Sequence, residues 1–288
     1  MKNKKVLINY LIILVMVLWG FSLICLVGYN VANAQMPFYN LKPKSIELRS
    51  QFYTSYSSST SERKHNIKLA SKSINNTFVD VGGEFSFNIT VGERTTKRGY
   101  KTAKIISNGN FVDGVGGGVC QVSTTLYNAV LLAGLKIIEY HPHSLSVSYV
   151  APSFDAMVSS ASDFKFINNT HNPIIIKSYA DDSSIKISIY GEKMQEKYLR
   201  RSVVTEIIKP PEKQIIYVSD KEYPELLVGQ SLVIQNAKNG LRSEGILIKI
   251  VNGKIVGSKT IRKDRYKAIQ GVEIQKIIKE EPMQPQEL

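Results

Sequence analysis

Apolar and polar positions repeat along this chain with two different periods, and each change of period marks an element. From Val122 onwards, Val122, Leu126, Ala129, Val130 and Ala133 recur at i, i+4, i+7, i+8 and i+11, which stacks them on one face of a helix. Gly134 supplies a stop, because helices often end on a residue of positive φ. Immediately upstream, Gly114-Val115-Gly116-Gly117-Gly118 cannot continue that helix, since glycine loses too much backbone freedom there. Cys120 therefore stands where a glycine-lined turn becomes a helix N-terminus. A shorter pattern, Ile67, Ala70 and Ile74, predicts a second helix over 63–74.

Elsewhere the period is two, or the apolar runs are short. Leu145, Val147 and Tyr149 alternate with Ser146 and Ser148, which predicts a strand over 145–150 with one wet face. Strands are also expected at 103–106, around Phe111, at 135–140 and at 185–190, with a hairpin formed by 163–170 and 173–179. Residues 81–88 read as a turn entering a short strand with aromatics on one face. Further on, 215–218, 232–235, 245–251 and 255–260 read as strands joined by turns such as Asn239-Gly240 and Asn252-Gly253. The fold class is α+β: a mixed domain over 46–192, a linker over 193–199, a small all-β domain over 200–276 and a tail over 277–288.

The N-terminus follows another rule. Lys2, Lys4 and Lys5 precede a nearly uncharged stretch from Val6 to Val27, long enough to span a bilayer with the lysines held inside. It predicts a signal-anchor over 1–34, a tether over 35–45 and exported domains, with the membrane engaged through that first segment. Ala32-Asn33-Ala34 also matches a small-residue cleavage pattern. Anchoring and secretion both stay open, and the length of the apolar run favours anchoring.

Composition narrows the function. A hydrophobic content of 43% over 288 residues excludes a disordered chain. The formal charge is +13, and setting aside Met1 to Ala34, with three lysines and no acids, leaves +10. An exported basic protein suits anionic surroundings such as wall polymers or lipid headgroups. Scattered basic residues on an exported chain argue against nucleic acid. Beyond Cys25 in the apolar stretch, Cys120 is the sole cysteine, so the exported part has no internal disulfide. One cysteine and scattered histidines form no familiar metal ligand set, and no cofactor is expected.

An unpaired exported thiol is a liability unless it is buried or used. At a helix N-terminus the dipole and backbone N–H groups draw a cysteine below its usual pKa near ~8.5. The same N–H groups can hold an oxyanion, and glycines leave room for a substrate backbone. The structural alternative is a small buried cysteine beside a tight turn. His143, His141 and His65 are candidate bases; His171, in a polar turn, is read as exposed. Asp155 is a candidate to orient a histidine, with a purely structural hydrogen bond as its alternative. Arg94 is a candidate to hold a substrate carboxylate, with a surface ion pair as its alternative. Gly117, Gly118, Gln121, Ser123 and His141 join it as candidate substrate contacts.

Ordered matches run from about Ile46 to Gly191: Arg63 with His65-Asn66-Ile67, Gly83 with Phe85-Ser86-Phe87-Asn88, Gly92 with Arg94-Thr95, and Gly99-Tyr100. The most specific is Gly116-Gly117-Gly118-Val119-Cys120-Gln121-Val122-Ser123-Thr124-Thr125-Leu126-Tyr127-Asn128, followed by His143-Ser144, Tyr149-Val150, Asp155-Ala156 and Asn168-Asn169-Thr170 with Pro173. This stretch resembles the VanW domain. The resemblance implies an L,D-transpeptidase that forms 3-3 cross-links between peptidoglycan stem peptides, with Cys120 as nucleophile and His143 as base. One departure is Ser153-Phe154, where the family tends to carry Gly-Arg. The segment from about Arg200 to Lys276, punctuated by Gly229, Gly240, Gly253, Gly257 and Gly271, resembles a G5 domain, for which carbohydrate binding or a spacer role is implied. Two rival functions remain: a cysteine carboxypeptidase or endopeptidase acting on the same stems, and a non-catalytic wall-binding protein.

Overall fold

The helix α3 (Val119–Leu132) carries its apolar residues on more than one face. Val122, Leu126, Tyr127, Ala129 and Val130 are buried, and so are its polar residues Gln121, Ser123, Thr124, Thr125 and Asn128. A helix covered on all sides sits inside a fold rather than on its surface. The computed structural model describes residues 46–107, 109–218 and 223–276. The predicted anchor, tether and tail lie outside the described residues. Among the described residues, no helix is long and apolar enough to cross a membrane.

The chain is mostly β with few helices. Its first part contains β1 (Glu47–Ser55), α1 (Ser61–Ile74), β2 (Thr77–Val79), β3 (Glu84–Ser86), α2 (Phe87–Val91), β4 (Thr102–Ser107), β5 (Asn110–Val115), α3, β6 (Lys136–Glu139), β7 (Lys165–Ile167), β8 (Ile174–Ala180) and β9 (Ser184–Gly191). An antiparallel sheet of order β1-β9-β8-β2 presents Ile174 and Ile176 from β8, and Ile185, Ile187 and Ile189 from β9, to the core. α3 packs on β1 and β9, while α1 packs on β8 and on α3. α1 starts as its sequence dictates: Thr60 caps it by accepting the Arg63 N–H, which satisfies one free donor of the first turn. A second sheet, β3-β7-β6, stacks Phe85 on Phe166 with centroids 5.0 Å apart.

The second part contains β10 (Glu196–Ile208), β11 (Gln214–Val218), β12 (Ser231–Gln235), β13 (Gly240–Val251), β14 (Lys254–Tyr266) and β15 (Val272–Lys276). β10, β13 and β14 form an antiparallel sheet; β11 and β12 flank β15, parallel and antiparallel respectively. Asn252 and Gly253, with φ of 50° and 77°, form the tight turn between β13 and β14, as Asn-Gly pairs do in two-residue hairpins.

Several sequence expectations are corrected. Residues 145–150 form no strand: alternation favours extended backbone, but a strand needs a partner edge. This segment is instead held by Lys267, whose N–H donates to the Ser144 carbonyl at 2.8 Å, and by Lys238 Nζ on the Ser146 carbonyl. The hairpin expected from 163–170 and 173–179 is absent, because β7 pairs with β3 and β6 while β8 pairs with β2 and β9. Buried Asn168 redirects the chain between the two sheets, donating to the Val79 and Asn172 carbonyls. Residues 84–86 are a strand, but Phe87 and Asn88 open α2. Gly114 and Val115 extend β5, so the turn proper is Gly116 to Gly118. Asn239-Gly240 makes no hairpin turn; Gly240 begins β13. The span read as a linker contains the start of β10 at Glu196.

Candidate active site

Gly118 is the N-cap of α3 with φ of 109°, and Gly116 has φ of 86°; both conformations strain an L side chain. Gly117 is required for another reason. A Cβ there would lie 2.7 Å from the Lys104 carbonyl oxygen and 2.8 Å from that of Ala103, so its lack of a side chain lets the turn pack on β4. The space belongs to the protein's own backbone, and Gly117 does not line the cleft whereas Gly116 and Gly118 do. Buried Asn66 of α1 clamps the turn, donating to the Gly117 carbonyl at 3.0 Å and the Lys101 carbonyl at 2.8 Å.

Cys120, the second residue of α3, is thereby placed at the wall of a cavity of about 1050 Å³. The Val158 N–H donates to its Sγ at 3.5 Å, and the thiol reaches the Val158 carbonyl at 3.3 Å. The N–H groups of Val119 and Gln121 donate to the Gly116 and Gly118 carbonyls. They are therefore spent on the turn rather than held for an oxyanion.

His143 and Asp155 meet Cys120 from a long loop between β6 and β7. Asp155 Oδ2 accepts from both the backbone N and the Nδ1 of His143, each at 2.7 Å. With Nδ1 so engaged, the other ring nitrogen is left for the thiol, and His143 and Cys120 shift each other's protonation. Burial pushes the Cys120 thiol up, but the hydrogen bond and charge of His143, the Val158 N–H and Arg94 together bring it below the ordinary value. Burial disfavours the charged imidazole of His143, yet Asp155 and Cys120 outweigh it and raise its pKa to about 9. Asp155, buried at 1% exposure, would be raised by burial, and His143 and Arg262 hold it below its usual value instead. The arrangement favours a thiolate beside an imidazolium at neutral pH, the form that attacks a carbonyl and then protonates the leaving group.

The other candidates divide. Arg94 lines the cavity with Nη1 on Asn88 Oδ1 at 2.8 Å. Gln121 also borders it, but its side chain is fully engaged: Nε2 donates to Thr54 Oγ1 and the Ser55 carbonyl, and Oε1 accepts from Arg63 Nη2 at 2.8 Å. Ser123 is completely buried and donates to the Ala156 carbonyl at 2.6 Å, so it braces the Asp155 loop and does not face substrate. His141 points away, pairing with Glu139 Oε1 at 3.0 Å. His65 sits exposed on the Gly99 carbonyl at 2.9 Å, and His171 is exposed. Residues the sequence did not single out for the site also line the cavity: Lys104, Tyr149 and, from the second part of the chain, Lys238. Arg63 joins them, and its Nη1 is buried with no hydrogen-bond partner among the described residues. Burial lowers its pKa without removing its charge.

The family model described as "VanW like protein" matches residues 62–190, and that stretch is a VanW domain. The chain is 40% identical over 184 residues to "Uncharacterized protein YoaR" of Bacillus subtilis (strain 168), covering 60% of this chain and 61% of that protein. It is 29% identical over 138 residues to "Vancomycin B-type resistance protein VanW" of Enterococcus faecalis (strain ATCC 700802 / V583), covering 46% of this chain and 50% of that protein. The match thus spans less than two thirds of either relative. Among solved structures, the G5 domain of HP0197 is 20% identical with a TM-score of 0.16, over 28% of this chain and 99% of that one. The IgA1 protease G5 domain is 21% identical with a TM-score of 0.19, over 31% of this chain and all of that one.

Proposed function

From a VanW domain in which an aspartate orients a histidine that shares a cavity with a cysteine, we propose that the chain is a cell-wall enzyme, a cysteine L,D-transpeptidase acting on peptidoglycan stem peptides. The observation that carries the reading is the buried hydrogen bond from His143 Nδ1 to Asp155 Oδ2, 2.7 Å, with His143 and Cys120 both lining one cavity. A packing cysteine would need neither an oriented imidazole nor a cavity in front of it.

In the proposed reaction the Cys120 thiolate attacks the carbonyl carbon of the third residue of a tetrapeptide stem. The amide bond to the terminal D-alanine breaks, and the His143 imidazolium protonates the departing amine, leaving a thioester on Sγ. The side-chain amine of a second stem then attacks the thioester, gives its proton to His143 and releases the thiolate. One amide is broken and one is formed, so no cofactor is consumed. The cavity carries Arg63, Arg94, Lys104 and Lys238 against Glu93 alone among acids, which suits a substrate bearing carboxylates. Export through the N-terminal apolar segment would bring the domains to that substrate.

The test is incubation of the full chain, purified in detergent, with disaccharide-tetrapeptide, followed by mass analysis. A cross-linked dimer with loss of D-alanine is expected, abolished in Cys120→Ala and nearly so in Cys120→Ser. Release of D-alanine without dimer would make the enzyme a carboxypeptidase. Undiminished cross-linking in Cys120→Ala overturns the nucleophile, and no Cys120-dependent product from any stem returns the chain to wall binding.

A further inference from the structure

We infer that the C-terminal strands complete the catalytic machinery, with Arg262 and Tyr266 of β14 acting on His143 through Asp155 as positioning residues. The inference rests on the Cys120–His143–Asp155 reading and extends it to residues outside the VanW domain.

The two oxygens of Asp155 are divided between the two parts of the chain. Oδ2 serves His143; Oδ1 accepts from the Tyr266 hydroxyl at 2.5 Å and from Arg262 Nη2 at 3.4 Å. Arg262 Nη1 also donates to the Asp155 carbonyl at 2.7 Å, and its Nε is fixed on Asp264 Oδ2 at 2.7 Å. The guanidinium lies over the rings of Tyr140 and Tyr127, 4.6 and 5.4 Å from their centroids. The Tyr266 hydroxyl in turn accepts the Ser153 N–H at 2.7 Å. Ser153, at φ of 63°, is held in that costly conformation by its hydroxyl on Ser243 Oγ at 2.7 Å. Arg262 and Tyr266 are 4% and 1% exposed, so water does not substitute for them.

A buried carboxylate with one oxygen unpartnered would turn about its Cβ–Cγ bond and would be costly to keep ionised. Arg262 keeps Asp155 charged, and Tyr266 fixes its plane so that Oδ2 stays on Nδ1. The groups facing His143 are Cys120 from α3 and Asp155 from its own loop. Arg63, Arg94 and Tyr149 border the thiol, and Arg262, Asp264, Tyr266, Tyr127 and Tyr140 stand behind Asp155. Without Tyr266 Oη or the Arg262 charge the carboxylate turns off Nδ1 or loses its charge, and the imidazolium proton is lost at lower pH.

The experiment measures D-alanine release from disaccharide-tetrapeptide, which serves as both donor and acceptor, by the full chain across pH. Tyr266→Phe is expected to lower kcat about tenfold with KM within about twofold, and to move the alkaline limb of kcat/KM downward by about half to one pH unit. Arg262→Gln moves the limb the same way with a larger loss in kcat, partly rescued in Arg262→Lys. Ser243→Ala, at the same interface but off Asp155, lowers the melting temperature and leaves the pH profile in place. Folded Tyr266→Phe with wild-type kcat and limb overturns the inference and makes these contacts a domain interface only; if Arg262→Gln does not fold, Tyr266→Phe alone decides. Activity surviving in Cys120→Ala is a different failure, that of the proposed function itself.

Discussion

Replacing Asp155 with asparagine separates its charge from its shape. The carboxylate accepts four hydrogen bonds, two from His143 and one each from Tyr266 and Arg262. An amide of the same size must turn an NH2 towards one of these donor pairs. Arg262 keeps Asp264 and the Asp155 carbonyl, so its charge is not orphaned and the fold is expected to survive. The loss falls on His143. Its pKa is raised from 6.5 to about 9, so the imidazolium persists at neutral pH and is lost as pH climbs through about 9. That gap, at ~1.36 kcal/mol per unit, is worth roughly 3 kcal/mol. Part of it comes from Cys120, which makes roughly 10²-fold the loss to expect in the thiolate–imidazolium form. Burial then acts unopposed by Asp155. Two readouts follow in Asp155→Asn: iodoacetamide labels Cys120 about 10²-fold more slowly at pH 7, and the alkaline limb of D-alanine release falls from near 9 towards neutral. Circular dichroism checks the fold. A folded Asp155→Asn protein that keeps both the labelling rate and the limb refutes the role given to this carboxylate.

Two further predictions concern neighbouring residues. His143→Ala should lower turnover about 10²–10⁴-fold while His141→Ala, which breaks only an exposed pair with Glu139, stays within a few-fold; equal losses in a steady-state assay would mean that both imidazoles act. Gly118→Ala puts a Cβ at φ of 109° and 3.0 Å from Ile67 Cγ1 and Arg63 Nη1, a strain of about 1–3 kcal/mol that should lower the Tm by several degrees and slow Cys120 labelling, and an unchanged melting curve would contradict it.

What could be read from the sequence was whatever depends on neighbours along the chain. The period of Val122, Leu126 and Ala129 and the glycines before it place Cys120 at the start of α3 with no tertiary knowledge. Yet the same period suggested one apolar face, and the helix is covered all round. Its polar residues can be buried because they find hydrogen-bond partners inside, as Ser123 does on the Ala156 carbonyl and Asn128 on the Phe154 carbonyl. Such partners lie in other segments, and no local pattern announces them. Residues 145–150 and the hairpin expected from 163–179 failed for a related reason: alternation reports an extended backbone, not which edge it will meet. His141 and His143 are two residues apart in one His-Pro-His run. Only the path of the loop turns one into the core and leaves the other on Glu139.

The residues behind Asp155 show how far that limit reaches. Arg262, Asp264 and Tyr266 stand at i, i+2 and i+4 on β14 and are all buried. Period two identifies them as one face, but it does not say which face is inside. A face made of arginine, aspartate and tyrosine reads as the solvent side, because ionised side chains are rarely buried unless paired. Here the pairing is complete: the guanidinium has Asp264, Asp155 and two tyrosine rings, and the phenol has Asp155 and Ser153. Strands over a hundred residues from Asp155 thus present polar groups to a buried carboxylate that would otherwise lack partners on one side. Such a complement forms only when both parts of the chain are folded. A C-terminal truncation ending before β13 should therefore leave Cys120 present but labelled by iodoacetamide at the rate of an ordinary thiol, even if the VanW domain keeps its secondary structure. Fast labelling in such a truncated protein would show that the aspartate holds its geometry from within its own domain.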